Sequence, residues 1–269
     1  MDPVAVGDQV HYLPMEDNKG MILEVFPRQN FFARGSAKPM PGAHAFEQVI
    51  AANLDQVIPI IAAAEPDPRW HLLDRILVAA ESYQISSHVV ITKADRVFDL
   101  REEKALKEAI DRYREIGYPV TLTSAIKGEG IEALSQSLTG RRSVLVGQSG
   151  VGKSSLLNCL EPGLGLRVKA VNETTGKGRH TTTHLEMFPL AAGGEIIDTP
   201  GVREFSILGL DPEDIAFYFP EIAPFIGRCR FGMSCQHDDE PGCAVKAAVM
   251  DAEISPYRYK SYLKIRGDM

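Results

Sequence analysis

The chain has 269 residues, of which 44% are hydrophobic, and a net charge of −7. This length suits one full domain with two smaller ones, and the composition is that of a globular protein with a buried core. No apolar run approaches the roughly 18 residues of a membrane span, so we expect a soluble, cytoplasmic protein without a membrane partner. The negative charge argues against nucleic-acid binding by the molecule as a whole, although residues 141–180 carry seven Lys or Arg and only two acidic residues.

The amino-terminal region is predicted to be rich in β-strand. Strand-like runs occur at residues 8–13, 21–26 and 31–34. They are too few for a closed five-stranded barrel, so we predict a small, incomplete OB-like domain over residues 1–45. A run of Pro, Met, Pro and Gly at residues 39–42 marks its end.

Helical periodicity follows this boundary. The apolar positions Leu73, Ile76, Leu77 and Ala80 recur at the spacing of one helix face, which predicts a helix over residues 70–82 that packs on a sheet. A second amphipathic helix is predicted over residues 100–116.

Between these helices lies a candidate base-reading loop. An apolar run at residues 88–91 predicts a buried strand, which ends in Thr92, Lys93, Ala94 and Asp95. A carboxylate at Asp95 can accept hydrogen bonds from the N1–H and exocyclic amine of guanine, which adenine cannot supply. The common form of this motif begins with Asn, and the Thr92 hydroxyl can replace only part of the bonding of an amide. The sequence therefore predicts guanine selection, with nucleotide affinity depending on Thr92.

A second base-contacting loop is predicted after the next strand. Residues 119–122 form a strand-like run that leads into Thr123, Ser124 and Ala125. The backbone of this tripeptide is predicted to meet the guanine O6.

The strongest local signal is a phosphate-binding loop that matches G-x-x-x-x-G-K-S without a mismatch. A β-rich run at residues 143–146 precedes it, and an apolar helix start follows it. The Lys153 ammonium is predicted to contact the β- and γ-phosphates, and the Ser154 hydroxyl to bind Mg²⁺. The predicted phosphate-side contacts are Gly147, Gln148, Ser149, Gly150, Val151, Gly152, Lys153, Ser154 and Ser155.

A third nucleotide motif follows a strand predicted at residues 195–197. It runs from Asp198, which would hold Mg²⁺ through water, to Gly201, whose N–H would sense the γ-phosphate. The polar, Gly-rich residues 176–183 lie between the phosphate loop and this motif, and such segments become ordered around a γ-phosphate and Mg²⁺. One threonine of this segment is expected to bind Mg²⁺, although spacing does not decide among residues 181, 182 and 183.

The order of these motifs is unusual because the base-reading loop precedes the phosphate loop along the chain. Loops at the carboxyl ends of parallel strands assemble the nucleotide pocket, so chain order can change while the pocket survives. We therefore predict a circularly permuted P-loop G domain of the three-layer α/β/α class over residues 46–209.

The carboxyl-terminal third contains a Cys3His set, formed by Cys229, Cys235, His237 and Cys243. Three thiolates and one imidazole within fifteen residues are typical of a closed, structural zinc site. The fourth cysteine, Cys159, lies on the apolar face of the helix after the phosphate loop and is interpreted as a core residue. We predict a helical zinc-binding domain over residues 210–269.

A basic segment closes the chain. Residues 258–266 carry four Lys or Arg with interleaved tyrosines. Two interpretations stay open: contact with RNA, or an amphipathic helix whose tyrosines pack and whose basic side chains are solvated.

With these residues assembled, the chain resembles the small ribosomal subunit biogenesis GTPases, a bacterial family of circularly permuted GTPases. The resemblance rests on the motif order, the strings GRHTTT, DTPGVREF and AANLDQV, and the pattern C-x5-C-x-H-x5-C. It implies a protein with an OB-fold, a G domain and a zinc-binding domain that together bind small-subunit rRNA, and we expect a monomer. It also implies GTP hydrolysis stimulated by that subunit in late assembly, with the nucleotide state controlling release. Thr182 becomes the implied Mg²⁺ ligand.

The catalytic water lacks its usual partner. Conventional small GTPases place Gln directly after the glycine of the third motif, whereas Val202 occupies that position here and cannot form a side-chain hydrogen bond. The resemblance nominates His180 to hold the water, and the alternative is a solvated loop residue.

Two other classes of function compete with a ribosome-assembly GTPase. An ATP-using P-loop enzyme is disfavoured by Asp95 and by the third motif. A non-catalytic RNA-binding module with a vestigial nucleotide site gains support from Thr92 and Val202.

Overall fold

The computed structural model describes residues 4–16, 19–35, 47–164, 185–201 and 205–269. The strands in these ranges are β1 (Val10–Pro14), β2 (Gly20–Val25), β3 (Phe31–Gly35), β4 (Glu47–Ala52), β5 (Gln56–Ala62), β6 (Ser86–Ser87), β7 (Val89–Thr92), β8 (Val120–Leu122), β9 (Arg142–Gly147), β10 (Glu186–Pro189) and β11 (Glu195–Asp198). The α-helices are α1 (Trp70–Ser82), α2 (Leu100–Ile116), α3 (Ile131–Leu138), α4 (Lys153–Leu160), α5 (Ala244–Met250) and α6 (Pro256–Gly267).

One sheet forms the centre of the structure, with the strand order β10-β11-β9-β5-β7-β8. The short β6 pairs with the beginning of β5, and β7 pairs with its end. These neighbours run parallel except for β10, which pairs antiparallel with β11 at one edge. Every residue of β5 and β7 is buried, as expected for parallel strands that are covered on both faces.

Helices cover both faces of this sheet. On one face, Ile58 and Leu145 pack with α3 and α4 through Leu134 and Leu156. On the other face, side chains of α1 and α2 pack with the alternate strand residues, among them Ile61. The predicted three-layer α/β/α class is therefore confirmed.

The helices predicted at residues 70–82 and 100–116 have those bounds in the structure. Helix α2 begins where the Asp99 carboxylate accepts a hydrogen bond from the Arg101 N–H, and it ends at Gly117, whose φ of 108° suits a left-handed C-cap. These local capping signals explain why both ends of α2 could be predicted from the sequence.

The permuted order is also confirmed. The base-reading loop follows β7, and the phosphate loop follows β9, which comes later in the chain but lies two positions away in the sheet. The carboxyl ends of β7, β8, β9 and β11 meet at the same edge. All the predicted nucleotide loops that the structure describes therefore emerge on one side.

The amino-terminal strands form two separate antiparallel pairs, β1 with β2 and β3 with β4. Strand β4 starts after the predicted boundary at residue 45, which itself lies outside the described residues, so the boundary stays a prediction. Most side chains of the β1–β2 pair are exposed, including Leu13 and Leu23 at 51% and 53%. The described strands therefore make hairpins, not a closed barrel.

The carboxyl-terminal region packs on the G domain through α6 and the short 3-10 helix Ile215–Tyr218, both of which contact α1. The Phe219 and Tyr262 rings meet edge to face, with centroids 5.7 Å apart, inside the core that these elements share. None of the helices in the described ranges is long and apolar enough to cross a membrane.

One residue of the basic tail fits neither of the two interpretations of the sequence. Arg258 is fully buried, and its guanidinium donates hydrogen bonds to the carboxylates of Asp74 and Glu221. A hydrophobic neighbourhood, the buried Asp74 carboxylate and the partly buried Glu221 carboxylate remove this side chain from solvent and from RNA. Lys260 and Lys264 are exposed.

Candidate nucleotide site and metal centre

The phosphate loop joins β9 to α4. Gly150 and Gly152 have φ angles of 83° and 97°, a left-handed conformation that glycine adopts without strain. A Cβ on Gly147 would lie 2.3 Å from the carbonyl oxygen of Ile60, so the close approach of β5 also requires glycine there. The loop therefore has the backbone shape that exposes successive N–H groups to an anion.

Lys153, the lysine of this loop, is buried beneath it. Its ammonium donates to the carbonyl oxygens of Gly147 at 2.8 Å and Gln148 at 3.3 Å. Burial lowers the pKa of Lys153 to about 8, and the negative charge of Asp198 opposes that shift. A phosphate in the loop would favour the charged ammonium in the same way.

The base-reading loop is tied to the phosphate loop at two points. The buried Thr92 hydroxyl donates to the carbonyl oxygens of Val151 and, at 3.2 Å, Ile61. The Lys93 ammonium donates to the Gly150 carbonyl oxygen at 2.8 Å and to a carbonyl in the preceding loop. Thr92 thus makes the inter-loop contact itself, although its single proton serves one carbonyl at a time.

The carboxylate proposed to read guanine is already oriented. Asp95 accepts a hydrogen bond from the Ser124 hydroxyl at 2.5 Å, and the Lys127 N–H donates to that hydroxyl at 3.1 Å. The structure thus brings together the two loops that follow β7 and β8. Ala94 and Ala125 lie beside these residues, and the Ala125 carbonyl accepts a bond from Cys159 at 3.5 Å. Cys159 is half-buried and bonded to this loop, where the sequence suggested a core residue.

The third motif lies directly against the phosphate loop. Asp198 is buried at the end of β11, and the Thr199 hydroxyl donates to the Leu145 carbonyl oxygen on the neighbouring strand at 2.6 Å. A Cβ on Gly201 would lie 2.7 Å from the Cα of Ser149. Only glycine permits this approach, which places the Gly201 backbone beside the predicted position of the phosphates.

Two residues with predicted catalytic or metal roles, His180 and Thr182, lie outside the described residues, as does Val202, which stands where conventional small GTPases have Gln. The whole polar segment at 176–183 is among those positions. The roles given to them stay predictions.

The Cys3His set comes together as the sequence predicts, and its ligand atoms all lie within 4.8 Å of one another. The Cys229 Sγ lies 3.9 Å from the Cys243 Sγ, and the His237 Nδ1 lies 3.4 Å and 3.5 Å from these two sulfurs. For metal–sulfur bonds of about 2.3 Å, a tetrahedron has edges of roughly 3.8 Å. The buried set therefore has the dimensions to hold one tetrahedral metal ion.

Hydrogen bonds hold the loop that carries these ligands. The Glu240 carboxylate accepts from the N–H groups of Gln236 and Asp238 at 2.7 and 2.8 Å. The hydroxyls of Tyr259 and Tyr262 on α6 donate to the carbonyls of residues 237 and 236 at 2.7 and 2.9 Å. Sequence reasoning noticed these tyrosines but did not assign them to the metal loop. Their spacing of three residues on one helix was the available signal.

The comparisons with known proteins agree with this geometry. The family model of the RsgA GTPases matches residues 25–208. A small ribosomal subunit biogenesis GTPase RsgA of Gemmatimonas aurantiaca is 44% identical over 268 residues, which cover 99% of this chain and 84% of that protein. A protein of the same name in Bacteroides fragilis is 39% identical, with the same two coverages.

Two solved structures are similar over nearly the whole chain. YjeQ from Thermotoga maritima has a TM-score of 0.77 and 35% identity, covering 99% of this chain and 84% of that one. YloQ, described as a circularly permuted GTPase, has a TM-score of 0.73 and 31% identity, and the match covers 100% of this chain and 81% of the YloQ chain. The matched family, the near-complete coverage and the permuted nucleotide site lead to one conclusion: this chain belongs to the RsgA GTPase family.

Proposed function

We propose that this protein hydrolyses GTP during late assembly of the small ribosomal subunit, that the subunit stimulates the reaction, and that the nucleotide state controls release. The observation that carries the proposal is the meeting of the phosphate loop, the two base-reading loops and Gly201 at one edge of the sheet. The relatives are named as small ribosomal subunit biogenesis GTPases, which supplies the proposed partner.

Guanine selection is assigned to Asp95. Its hydrogen bond from Ser124 leaves the second carboxylate oxygen available for the base, because that bond uses only Oδ1. A carboxylate accepts from the N1–H and the neighbouring exocyclic amine of guanine, whereas the N1 of adenine is an acceptor without a hydrogen, so adenine cannot supply this pair of donors. This favours GTP over ATP as substrate.

Phosphate binding is assigned to the phosphate loop, with Lys153 as its cation. Mg²⁺ would be held by the hydroxyls of Ser154 and Thr182 and, through water, by Asp198. These oxygen donors are the type that Mg²⁺ prefers, and the ion would neutralise charge on the phosphates. Closure of Gly201 onto the γ-phosphate would connect this end of the site to the chain that leads into the carboxyl-terminal region.

The attacking water is assigned to His180, because Val202 has no hydrogen-bonding side chain. On this proposal the free protein turns over GTP slowly, and the subunit accelerates the reaction by fixing residues 176–183. Activators of related GTPases accelerate turnover by roughly 10³ to 10⁵, so the effect has ample range. His180→Ala should abolish most of the stimulation and leave GTP affinity nearly unchanged.

The metal of the Cys3His set is assigned as zinc, in a structural role. Three cysteines and one histidine, with their ligand atoms buried and close together, are the donor set of closed zinc sites. The protein is proposed to act as a monomer in the cytoplasm, where it binds rRNA of the small subunit and hydrolyses GTP to GDP and phosphate.

The test is GTP turnover by purified protein with and without purified small subunits. We expect slow turnover alone, strong stimulation by subunits, and no competition from a large excess of ATP. Turnover that stays absent with subunits while RNA binding persists would favour the alternative of an RNA-binding module with a vestigial site. Efficient ATP hydrolysis would overturn the guanine assignment.

A further inference from the structure

A cleft of about 690 Å³ lies between the beginning of α1, the segment after the third nucleotide motif, and helix α6. Trp70 stands on the α1 side, Ser206 on the motif side, and Tyr257 and Lys264 on α6. Its volume is within the range of about 300 to 1,000 Å³ of small-molecule pockets. None of its lining residues belongs to the proposed GTP site or the metal centre.

The walls of this cleft carry a surplus of positive charge. Arg69, Arg75 and Lys264 line it, and Asp268 is the one carboxylate among its lining residues. Asp268 is already paired with Arg75 at 2.7 Å, whereas the exposed Lys264 ammonium has no carboxylate within 4 Å in the described part of the chain. Burial, followed by the charges of Lys264 and Arg75, lowers the pKa of His71 on the same wall, so this imidazole is neutral at neutral pH and the positive charge of the cleft comes from its Arg and Lys side chains.

Two aromatic rings line the same cleft. The Trp70 ring stacks on Tyr113 with centroids 5.8 Å apart, which fixes its orientation. The Tyr257 ring is 38% exposed and has the Arg112 guanidinium 4.6 Å from its centroid. Fixed aromatic rings beside cations are the arrangement that proteins use to hold unpaired bases and their phosphates.

The cleft also contacts the nucleotide-sensing region. Arg75 donates a hydrogen bond to the Phe205 carbonyl oxygen at 2.7 Å, and Phe205 is four residues beyond Gly201. The same guanidinium holds Asp268 at the end of α6. A ligand that displaces or tightens these contacts acts on the segment that leaves the γ-phosphate side of the GTP site, and such coupling is reciprocal.

We propose that this cleft binds an unpaired, phosphate-bearing nucleotide of RNA and thereby couples RNA contact to the GTP site. The inference rests on the proposed function, because it names a place at which small-subunit rRNA would be read. The base stacks against Trp70 beside Tyr257, and Lys264 contacts the phosphate.

The cleft offers its own reporter, because Trp70 is the only tryptophan in the chain. Titration of GDP-loaded, full-length protein with single-stranded hexa-adenylate RNA should quench its fluorescence in a saturable and salt-sensitive way. Lys264→Glu should weaken binding by about tenfold, since it reverses the charge that meets a phosphate. Lys260→Glu is the matched control, because this lysine is exposed on the same helix and does not line the cleft.

Equal affinities for Lys264→Glu and Lys260→Glu, or an unchanged Trp70 fluorescence at saturation, would overturn the inference. Tighter binding of hexaglutamate than of the RNA would also overturn it, in favour of an acidic protein segment. Circular dichroism of both variants must match wild type.

Stimulated turnover separates this inference from the proposed function. With small subunits added, Lys264→Glu should lose most of the stimulation, whereas Lys260→Glu should keep it. Unstimulated turnover should match wild type in both variants. Equal stimulation of the two variants would contradict the assignment of the cleft as an RNA site. If small subunits do not stimulate even the wild-type protein, the proposed function is contradicted instead.

Discussion

Replacement of Arg258 by methionine should destabilise the protein strongly, although sequence patterns place this residue in a basic, solvent-facing tail. In the structure its side chain is completely buried. The guanidinium donates to Asp74 and, at 2.6 Å, to Glu221, and it lies 4.5 Å from the centroid of the Phe219 ring. Burial alone lowers the pKa of Arg258, but the two carboxylates outweigh it and raise the pKa, so the group stays charged.

The expected magnitude follows from what methionine leaves behind. It fills much of the same volume but provides no charge, so the Asp74 carboxylate, which is completely buried, loses its cation. Removing one partner of a buried ion pair costs about 3 to 5 kcal/mol. For a protein of this size that corresponds to a lowering of Tm by roughly 6 to 20 °C.

The assay is urea denaturation monitored by the fluorescence of Trp70. This ring stacks on Tyr113, and the Tyr113 hydroxyl donates a hydrogen bond to Asp74 at 2.8 Å, so Trp70 lies next to the buried network. The matched control is Lys260→Met, on the exposed side of the same helix, and it should change stability by less than about 0.5 kcal/mol. Adding Asp74→Asn to Arg258→Met should restore part of the loss, because it removes the uncompensated charge. A loss below about 1 kcal/mol for Arg258→Met, with no recovery in the double variant, would refute the buried network.

Four further predictions concern the nucleotide site and the metal centre. Asp95→Asn presents an amide to the guanine N1–H, so nucleotide binding should shift from GTP towards XTP; unchanged GTP affinity in a competition assay would contradict the base assignment. Thr92→Val removes the hydroxyl bonded to the Val151 carbonyl and should weaken GTP binding by about five- to tenfold, as roughly 1 kcal/mol per hydrogen bond implies, while Thr92→Ser stays near wild type. Equal Kd values for the two Thr92 variants would show that the hydroxyl is not needed. Lys153→Ala should abolish turnover with a native circular dichroism spectrum, and retained turnover would remove Lys153 from the mechanism. Cys235→Ser, or chelation, should unfold residues 210–269 before the G domain, because structural zinc contributes on the order of 10 kcal/mol of folding free energy; wild-type protein with no metal by elemental analysis would disprove this.

The sequence alone determined the features whose information is local. Helix α1 was located by the apolar spacing of Leu73, Ile76 and Leu77, because that periodicity depends only on helix geometry. The phosphate loop was recognised because its glycines and Lys153 must stand at fixed separations for the backbone to surround a phosphate. The sequence also predicted the Cys3His metal site, since ligand type and spacing define such a site within fifteen residues.

The tertiary structure alone decided which distant groups meet. In the sequence, Thr92 is a departure that weakens the base-reading motif. In the structure its hydroxyl donates a hydrogen bond to the carbonyl oxygen of Val151, 59 residues away, which no local pattern indicates. Arg258 could not be separated from its solvent-exposed neighbours by pattern, because its partner Asp74 lies 184 residues distant. A charged side chain has the same local signature whether water or a buried carboxylate stabilises it. Only the packing of α6 against α1 distinguishes the two cases, and that packing depends on the shape of the whole core.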